Sequence, residues 1–232
     1  MATATVTSAT LFSGLVLVVA LVIAYGLVRA RVGIVATLAI LLAYLAIPSA
    51  LARLGMLSRY DPLPAPALLL LLGLTLLTVA IVFSPLGARV AAGIALGAIV
   101  ALQAFRIPVE LLLHRLYLEG AVPIQMTYLG RNFDVISGIT GLVLGLWLLR
   151  RRPTPRGVVL AWNLLCLALL VNIVAVAVLS TPVPFRRFTE GPPNLLPSTF
   201  PYIWLPSFLV QVALGSHLLV FRQLRGRPTN SP

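Results

Sequence analysis

The sequence predicts an all-α, polytopic membrane protein, a single bundle of seven transmembrane helices with the N-terminus outside and the C-terminus inside. Three observations lead there. Of 232 residues, 60% are hydrophobic and only 9% are charged, against roughly 25% charged in soluble domains, so too little polar surface exists to cover a water-soluble globule. Apolar runs of about 20 residues, the length that crosses a bilayer, recur along the whole chain. The arginines gather at the ends of these runs, where topology determinants belong.

The first run, 11–29, ends at Arg29 and Arg31. No basic stretch precedes it, so it reads as an uncleaved span rather than a secretory signal. The second run is 32–52. Asp61-Pro62-Leu63-Pro64-Ala65-Pro66 then breaks any helix before the third run, 66–84. Ser84-Pro85-Leu86-Gly87 breaks it again before the fourth run, 91–118. The fifth run, 134–150, is the shortest and lies at the lower limit for a span. The sixth is 157–180 and the seventh 200–221. Between the last two lies the longest connection, 181–200. Its prolines, Pro182, Pro184, Pro192, Pro193 and Pro197, exclude a helix, yet Phe185, Phe188, Leu195, Leu196 and Phe200 give it apolar weight. An ordered cap on the bundle is expected there. Small residues at helical spacing, Gly93 and Gly97 in the fourth run and Ser137, Gly141 and Gly145 in the fifth, predict close helix contacts.

Counting arginines sets the orientation, because basic residues mark the inner loops. With the N-terminus outside, the inner segments hold Arg29, Arg31, Arg89, Arg150, Arg151, Arg152, Arg156, Arg222, Arg225 and Arg227, ten in all. The outer segments hold six: Arg53, Arg59, Arg115, Arg131, Arg186 and Arg187. The two long connections, 119–133 and 181–200, then face outward.

All 17 basic residues are arginine, and the net charge is +12. Nucleic-acid binding is not implied, since no basic stripe interleaved with aromatics exists. The arginine, alanine, leucine and valine bias points to a bacterium, hence to its inner membrane. Cys166 is the only cysteine, so neither an intrachain disulfide nor a cysteine-based zinc site can form.

The fourth run carries the chemistry. Arg106, Glu110 and His114 stand at i, i+4 and i+8 and share one helix face. With residue 105 as the centre of the span, Arg106 lies near the bilayer midplane. Glu110 and His114 lie about 8 Å and about 14 Å further out, at about 1.5 Å per residue. A charge at such depth costs at least about 2.5–3.5 kcal/mol on insertion scales and faces the bundle interior. An Arg106–Glu110 salt bridge is the expected pair. Pro108 frees a carbonyl one turn earlier, a further acceptor for Arg106. Arg131 and Asn132 could fold back over His114. Asp134 is expected to cap the fifth helix, accepting from free backbone N–H groups, with a role in the pocket as the alternative. By depth, Asn172 and Ser207 fall near the Glu110 layer and Gln211 near the Arg106 layer. Asn163 and His217 lie further in and are expected to form a separate pair.

A pocket follows, with Arg106, Glu110 and His114 as its base and the connections 120–133 and 181–200 as its lid. The function expected of it is binding or transport of a small polar or ionic ligand, with Arg106 holding an anionic group or poising Glu110. A metal ion on Glu110 and His114 is conceivable, although zinc needs at least a third protein ligand. Bis-histidine haem is not expected, because His114 and His217 lie at different depths. No lysine exists for a retinal Schiff base. Besides the bilayer itself, a membrane-protein partner or a second copy of the chain is a possible partner. Two rival readings stand beside binding: an intramembrane enzyme on lipid or lipid-linked substrates, and an accessory subunit of a larger membrane complex.

Overall fold

A computed structural model describes residues 4–226; Arg227, used in the arginine count, lies outside them. Among the described residues all regular structure is helical. In chain order the helices are α1 (Val6–Arg29), α2 (Ile34–Arg53), α3 (Pro66–Phe83), α4 (Pro85–Gly93), α5 (Leu96–Leu118), α6 (Asp134–Leu149), α7 (Arg156–Leu179) and α8 (Leu205–Arg225). Six of these, all but α4 and α6, are long and apolar enough to cross a membrane by length and composition. The chain is therefore a multi-pass helical membrane protein. Helix α6 is apolar but shorter, at 16 residues.

The expected fourth span, 91–118, is two elements. Ser84 accepts hydrogen bonds from the backbone N–H groups of Leu86 and Gly87, and Pro85 occupies the first turn, so a new helix starts at once. This α4 ends at Gly93, and the backbone is extended at Ile94 before α5 begins. Gly93 thus belongs to α4. A Cβ there would stand 2.7 Å from Ala30 Cα, so glycine lets α4 press on the end of α1. Hydropathy alone could not resolve the break, because both sides are apolar. The carbonyls exposed at both ends of α4 are satisfied from α8: at the break, Gln223 Nε2 donates to Ala91 O and Ile94 O, and at the junction with α3, Arg222 Nη1 donates to Ser84 O at 3.0 Å and to Val82 O. Leaving such helix-end acceptors buried without donors is costly.

Two prolines shape the contact between α2 and α8. Proline lacks an N–H and clashes with the carbonyl four residues earlier. Pro48 sits just after a π turn, Leu42–Ala46, and Pro206 lies inside another, Leu205–Leu209. The carbonyl four residues before Pro48 is Tyr44 O, and it accepts instead from Ser207 Oγ at 3.0 Å. Trp204 Nε1 donates beside it to Leu45 O at 3.1 Å and to Ser49 Oγ at 2.8 Å.

Helices α5 and α6 run antiparallel in the closest helix contact of the chain. A Cβ on Gly138 would meet Ile107 Cγ1 at 2.7 Å, one on Gly145 would meet Ala101 Cα at 2.6 Å, and one on Gly97 would meet Gly145 O at 2.7 Å. The small-residue stripe of the sequence is thus an internal packing seam. Gly138, one turn into α6, meets Ile107, so α6 starts near Glu110, not beside the end of α5 at Leu118. The chain from Glu119 to Phe133 folds back along the outer part of α5 by about 12 Å, taking about 1.5 Å per residue over the eight residues from Glu110 to Leu118. Its backbone is satisfied within the protein. Met126 N, Thr127 N, Arg131 N and Asn132 N donate to Pro123 O, Ile124 O, Gln125 O and Thr127 O. Asn172 Nδ2, from α7, donates to Arg131 O at 2.7 Å.

At the outer end of α5, Glu119 ties down the start of α1. It accepts from Ser8 Oγ (2.7 Å), Thr5 Oγ1 (2.8 Å) and Thr5 N (3.0 Å), and from Arg115 Nε (3.2 Å). Desolvation alone would raise this carboxyl, but the hydrogen bonds from Ser8 and Thr5 and the charge of Arg115 outweigh it and lower the group below its usual range.

Candidate functional site

Four helices and the folded-back connection bring one polar cluster together inside the bundle. Arg106 and Glu110 come from α5, Asp134 from the first turn of α6, Asn163 from α7, His217 from α8 and Asn132 from the connection. Each is at most 5% exposed.

Arg106 is the centre, and its partner is Asp134, not Glu110. Arg106 Nε donates to Asp134 Oδ2 at 2.8 Å, and Nη2 donates to the same oxygen in a closer ion pair. Helical side chains lean toward the N-terminus of their helix. Arg106 accordingly reaches back toward Gln103, not forward to Glu110. Its Nη1 lies 3.3 Å from His217 Nε2 and 3.5 Å from Gln103 Oε1. No backbone carbonyl freed by Pro108 takes part; instead the helix tightens into a 3₁₀ turn at Gln103–Phe105, just before that proline's turn.

The histidine tautomer follows from chemistry. A guanidinium only donates, so His217 Nε2 is the acceptor and Nδ1 carries the proton. That proton faces Asn163 Oδ1 at 2.8 Å, while Asn163 Nδ2 donates to His217 O at 3.1 Å. The expected Asn163–His217 pair is present, but it is joined to the Arg106 cluster and not separate from it.

Asp134 is not the N-cap of α6. It is the first residue of the helix, and Asn132 Oδ1 accepts from Asp134 N at 3.2 Å. Asn132 Nδ2 donates to Glu110 Oε1 at 2.6 Å and to Met126 O at 3.1 Å. One amide thus fixes the connection, the start of α6 and one oxygen of Glu110. The other oxygen, Glu110 Oε2, has no partner, and neither has Asp134 Oδ1; both are buried.

Arg106, Glu110 and Asp134 line a cavity of about 80 Å³. Its remaining walls are mostly aliphatic, with Leu113, Leu170, Ile173, Leu209 and Ala213 among them. Both long connections close it: Met126 comes from the first, and Thr181, Asn194 and Leu196 from the second. The two connections also touch each other, Gln125 Nε2 donating to Glu190 O at 3.4 Å.

Other expected members of the site stand elsewhere. His114 packs on Tyr128 and Tyr117, with ring centroids 4.7 and 6.0 Å away, and is not part of the cavity wall. Arg131 is exposed and lies over the Phe188 ring at 5.1 Å. Asn172 supports the connection through Arg131 O, and Ser207 serves the α2 contact. Gln211 bonds Thr78 and Thr75 at 2.9 and 3.3 Å. Among the described residues no three His, Cys, Asp or Glu side chains gather as a metal site would need.

A second cavity, about 540 Å³, lies among α1, α2, α3, α4, α5 and α8. It is the larger of the two, but its buried polar groups are partnered: Tyr44 and Thr78 hydroxyls are 2.9 Å apart, Thr78 donates to Gln211, and Ser216 donates to Val212 O. None of the buried unpartnered polar atoms belongs to its lining. The smaller cavity is therefore the chemically unfinished one.

The family model described as "Domain of unknown function (DUF8737)" matches residues 63–225. The chain belongs to the DUF8737 family. No curated protein and no solved structure matches it. The DUF8737 range holds α3 to α8, every residue of the polar cluster and every residue lining the smaller cavity. The larger cavity also needs α1 and α2, which lie outside that range.

Sequence reasoning missed Gln103 as a partner of Arg106, the link from Arg106 to His217, and the Arg106–Asp134 pair. One signal was present. The apolar run at 134–150 is shorter than its neighbours, so its first residue, Asp134, falls beside the middle of α5 rather than beside its end.

Proposed function

We propose that this chain is a seven-span protein of a bacterial inner membrane, N-out and C-in, that binds a small polar or ionic ligand in the cavity at Glu110 and Asp134. Helix α6 is the seventh span: the folded-back connection supplies the depth its 16 residues lack. Non-helical backbone at membrane depth is tolerated where protein surrounds and satisfies it, and the internal hydrogen bonds of residues 123–132 meet that condition. The arginine excess on the inner side supports the orientation. A reporter fused at the C-terminus is expected to be active only in the cytoplasm; periplasmic activity would overturn the topology.

One observation carries the binding reading. Two buried carboxylate oxygens, Glu110 Oε2 and Asp134 Oδ1, have no donor and belong to residues that line a cavity. Buried polar groups are almost always satisfied, and those that are not mark a strained, catalytic or ligand-binding place. In the outward orientation the lid segments 120–133 and 181–200 face the periplasm, and the ligand enters from that side. The test is to fill the cavity without touching its charges. Ala213→Leu puts three more carbons into the space, and Ala175→Leu puts them on the exposed face of α7. Both variants are expected to reach the membrane folded. Ala213→Leu should fail to complement a deletion strain, and Ala175→Leu should succeed. Full complementation by folded Ala213→Leu would sink the reading.

A further inference from the structure

The polar end of the smaller cavity is asymmetric in donors and in charge, and both asymmetries bear on the ligand. Resting on the binding reading above, we propose that the ligand is a short aliphatic primary ammonium ion, its N–H groups held between Glu110 Oε2 and Asp134 Oδ1 and its carbon body against the aliphatic wall.

The donor count comes first. Both orphaned atoms are acceptors, so the ligand must bring N–H or O–H groups. The protein has few left to give. Arg106 uses Nε and one Nη2 proton on Asp134 Oδ2 and both Nη1 protons on His217 and Gln103. Of the five guanidinium protons, one remains. The polar lid residues add only one more, the second proton of the Asn194 amide. Thr181 Oγ1 donates to Val178 O, while Asn194 donates to Ala177 O and accepts from Leu196 N. An anionic ligand would find two free N–H groups, one on Arg106 and one on the Asn194 amide, set against two carboxylates.

The charge count agrees. The cluster holds one guanidinium and two carboxyl groups, and His217 is the neutral Nδ1-protonated tautomer because its Nε2 accepts from Arg106. One positive charge balances it. An inorganic cation is poorly served, since magnesium and calcium take six or more oxygen ligands and this cavity offers two free oxygens among aliphatic walls. A quaternary ammonium lacks the N–H groups and would need an aromatic cage; Phe105 is the single aromatic residue of the lining. An alkylammonium supplies the charge, the donors and an apolar body together. The space, about 80 Å³, limits that body to a few carbons; an apolar cavity of about 150 Å³ holds a benzene molecule.

The test uses the full chain in lipid nanodiscs, with empty nanodiscs as the blank. Four probes of similar size are compared by saturation-transfer NMR and by the shift in thermal unfolding: n-butylammonium, n-butanol, butyrate and tetramethylammonium. The wild type should bind butylammonium in preference to the other three by tenfold or more. Glu110→Gln, which keeps an acceptor for Asn132 but removes the charge, should weaken butylammonium roughly thirtyfold or more, as loss of one partner of a buried charge pair does. Ala213→Leu should abolish the signal. Equal or tighter binding of butanol or butyrate, lost in Ala213→Leu, would overturn the ammonium assignment and leave the cavity reading standing. Binding of none of the four would overturn the assignment too, whereas the cavity reading itself falls only by the Ala213→Leu complementation result.

Discussion

Asp134→Ala is expected to destabilise the protein by about 3–5 kcal/mol, because it strands the Arg106 guanidinium, buried and without its counter-charge. Arg106 is 3% exposed and gives both Nε and Nη2 to Asp134. Its other contacts, His217 Nε2 and Gln103 Oε1, are neutral and longer. Replacing both charges by apolar residues of similar size is often neutral or better. Arg106→Met with Asp134→Leu should therefore fold more nearly like the wild type than Asp134→Ala does. The same comparison discriminates the partner. Arg106→Met with Glu110→Leu leaves Asp134 as a lone buried acid and should be the less stable double variant. Folded yield and the thermal unfolding midpoint in nanodiscs measure all of these. Equal stability of the two double variants would contradict the pairing.

Asn132→Ala is the second large effect. The Asn132 amide donates to Glu110 Oε1 and Met126 O and accepts from Asp134 N. Its removal leaves three buried groups without partners, each worth about 1–3 kcal/mol when unsatisfied and more where charged. A loss of about 2–4 kcal/mol is expected after relaxation, with the connection 120–133 loosened first. Hydrogen exchange would show it: amides of Thr127, Arg131 and Asn132 should lose protection before those of α5. Uniform loss across the bundle would show instead that the connection is not held by this one side chain.

Much of this was legible in the residues. Hydropathy gave the helical runs, because lipid-facing helices are apolar on every side. The depth of Arg106 and Glu110 gave a buried polar centre, and the two long connections gave its cover. The partner of Arg106 was not legible. Spacing at i, i+4 put Glu110 on the same face, but the lean of helical side chains turns Arg106 the other way, toward His217. Asp134 looked like an N-cap because Asp before an apolar run so often is. Its position in depth depends on the fold of the connection, which is set by contacts distant in sequence: Asn172 to Arg131 O and Gln125 to Glu190 O. Ser207 and Gln211 were placed by depth alone, and depth does not tell which side of α8 a residue occupies. Ser207 answers Tyr44 O beside Pro48, and Gln211 faces the larger cavity. The break between α4 and α5, at Ile94 and Ala95, was invisible to hydropathy; Ser84-Pro85 marks only the earlier break, between α3 and α4.

The central claim is that Glu110 and Asp134 are held apart around a ligand and are not merely two packed acids. An experimental density map of the protein in native lipid, at a resolution that separates side chains, tests it most directly. The account predicts non-protein density between Glu110 Oε2 and Asp134 Oδ1, with an atom about 2.6–3.2 Å from each oxygen and a tail along Leu209 and Ala213. A cavity collapsed on itself, with the two carboxyl groups bonded to each other or to donors of the protein, would contradict it.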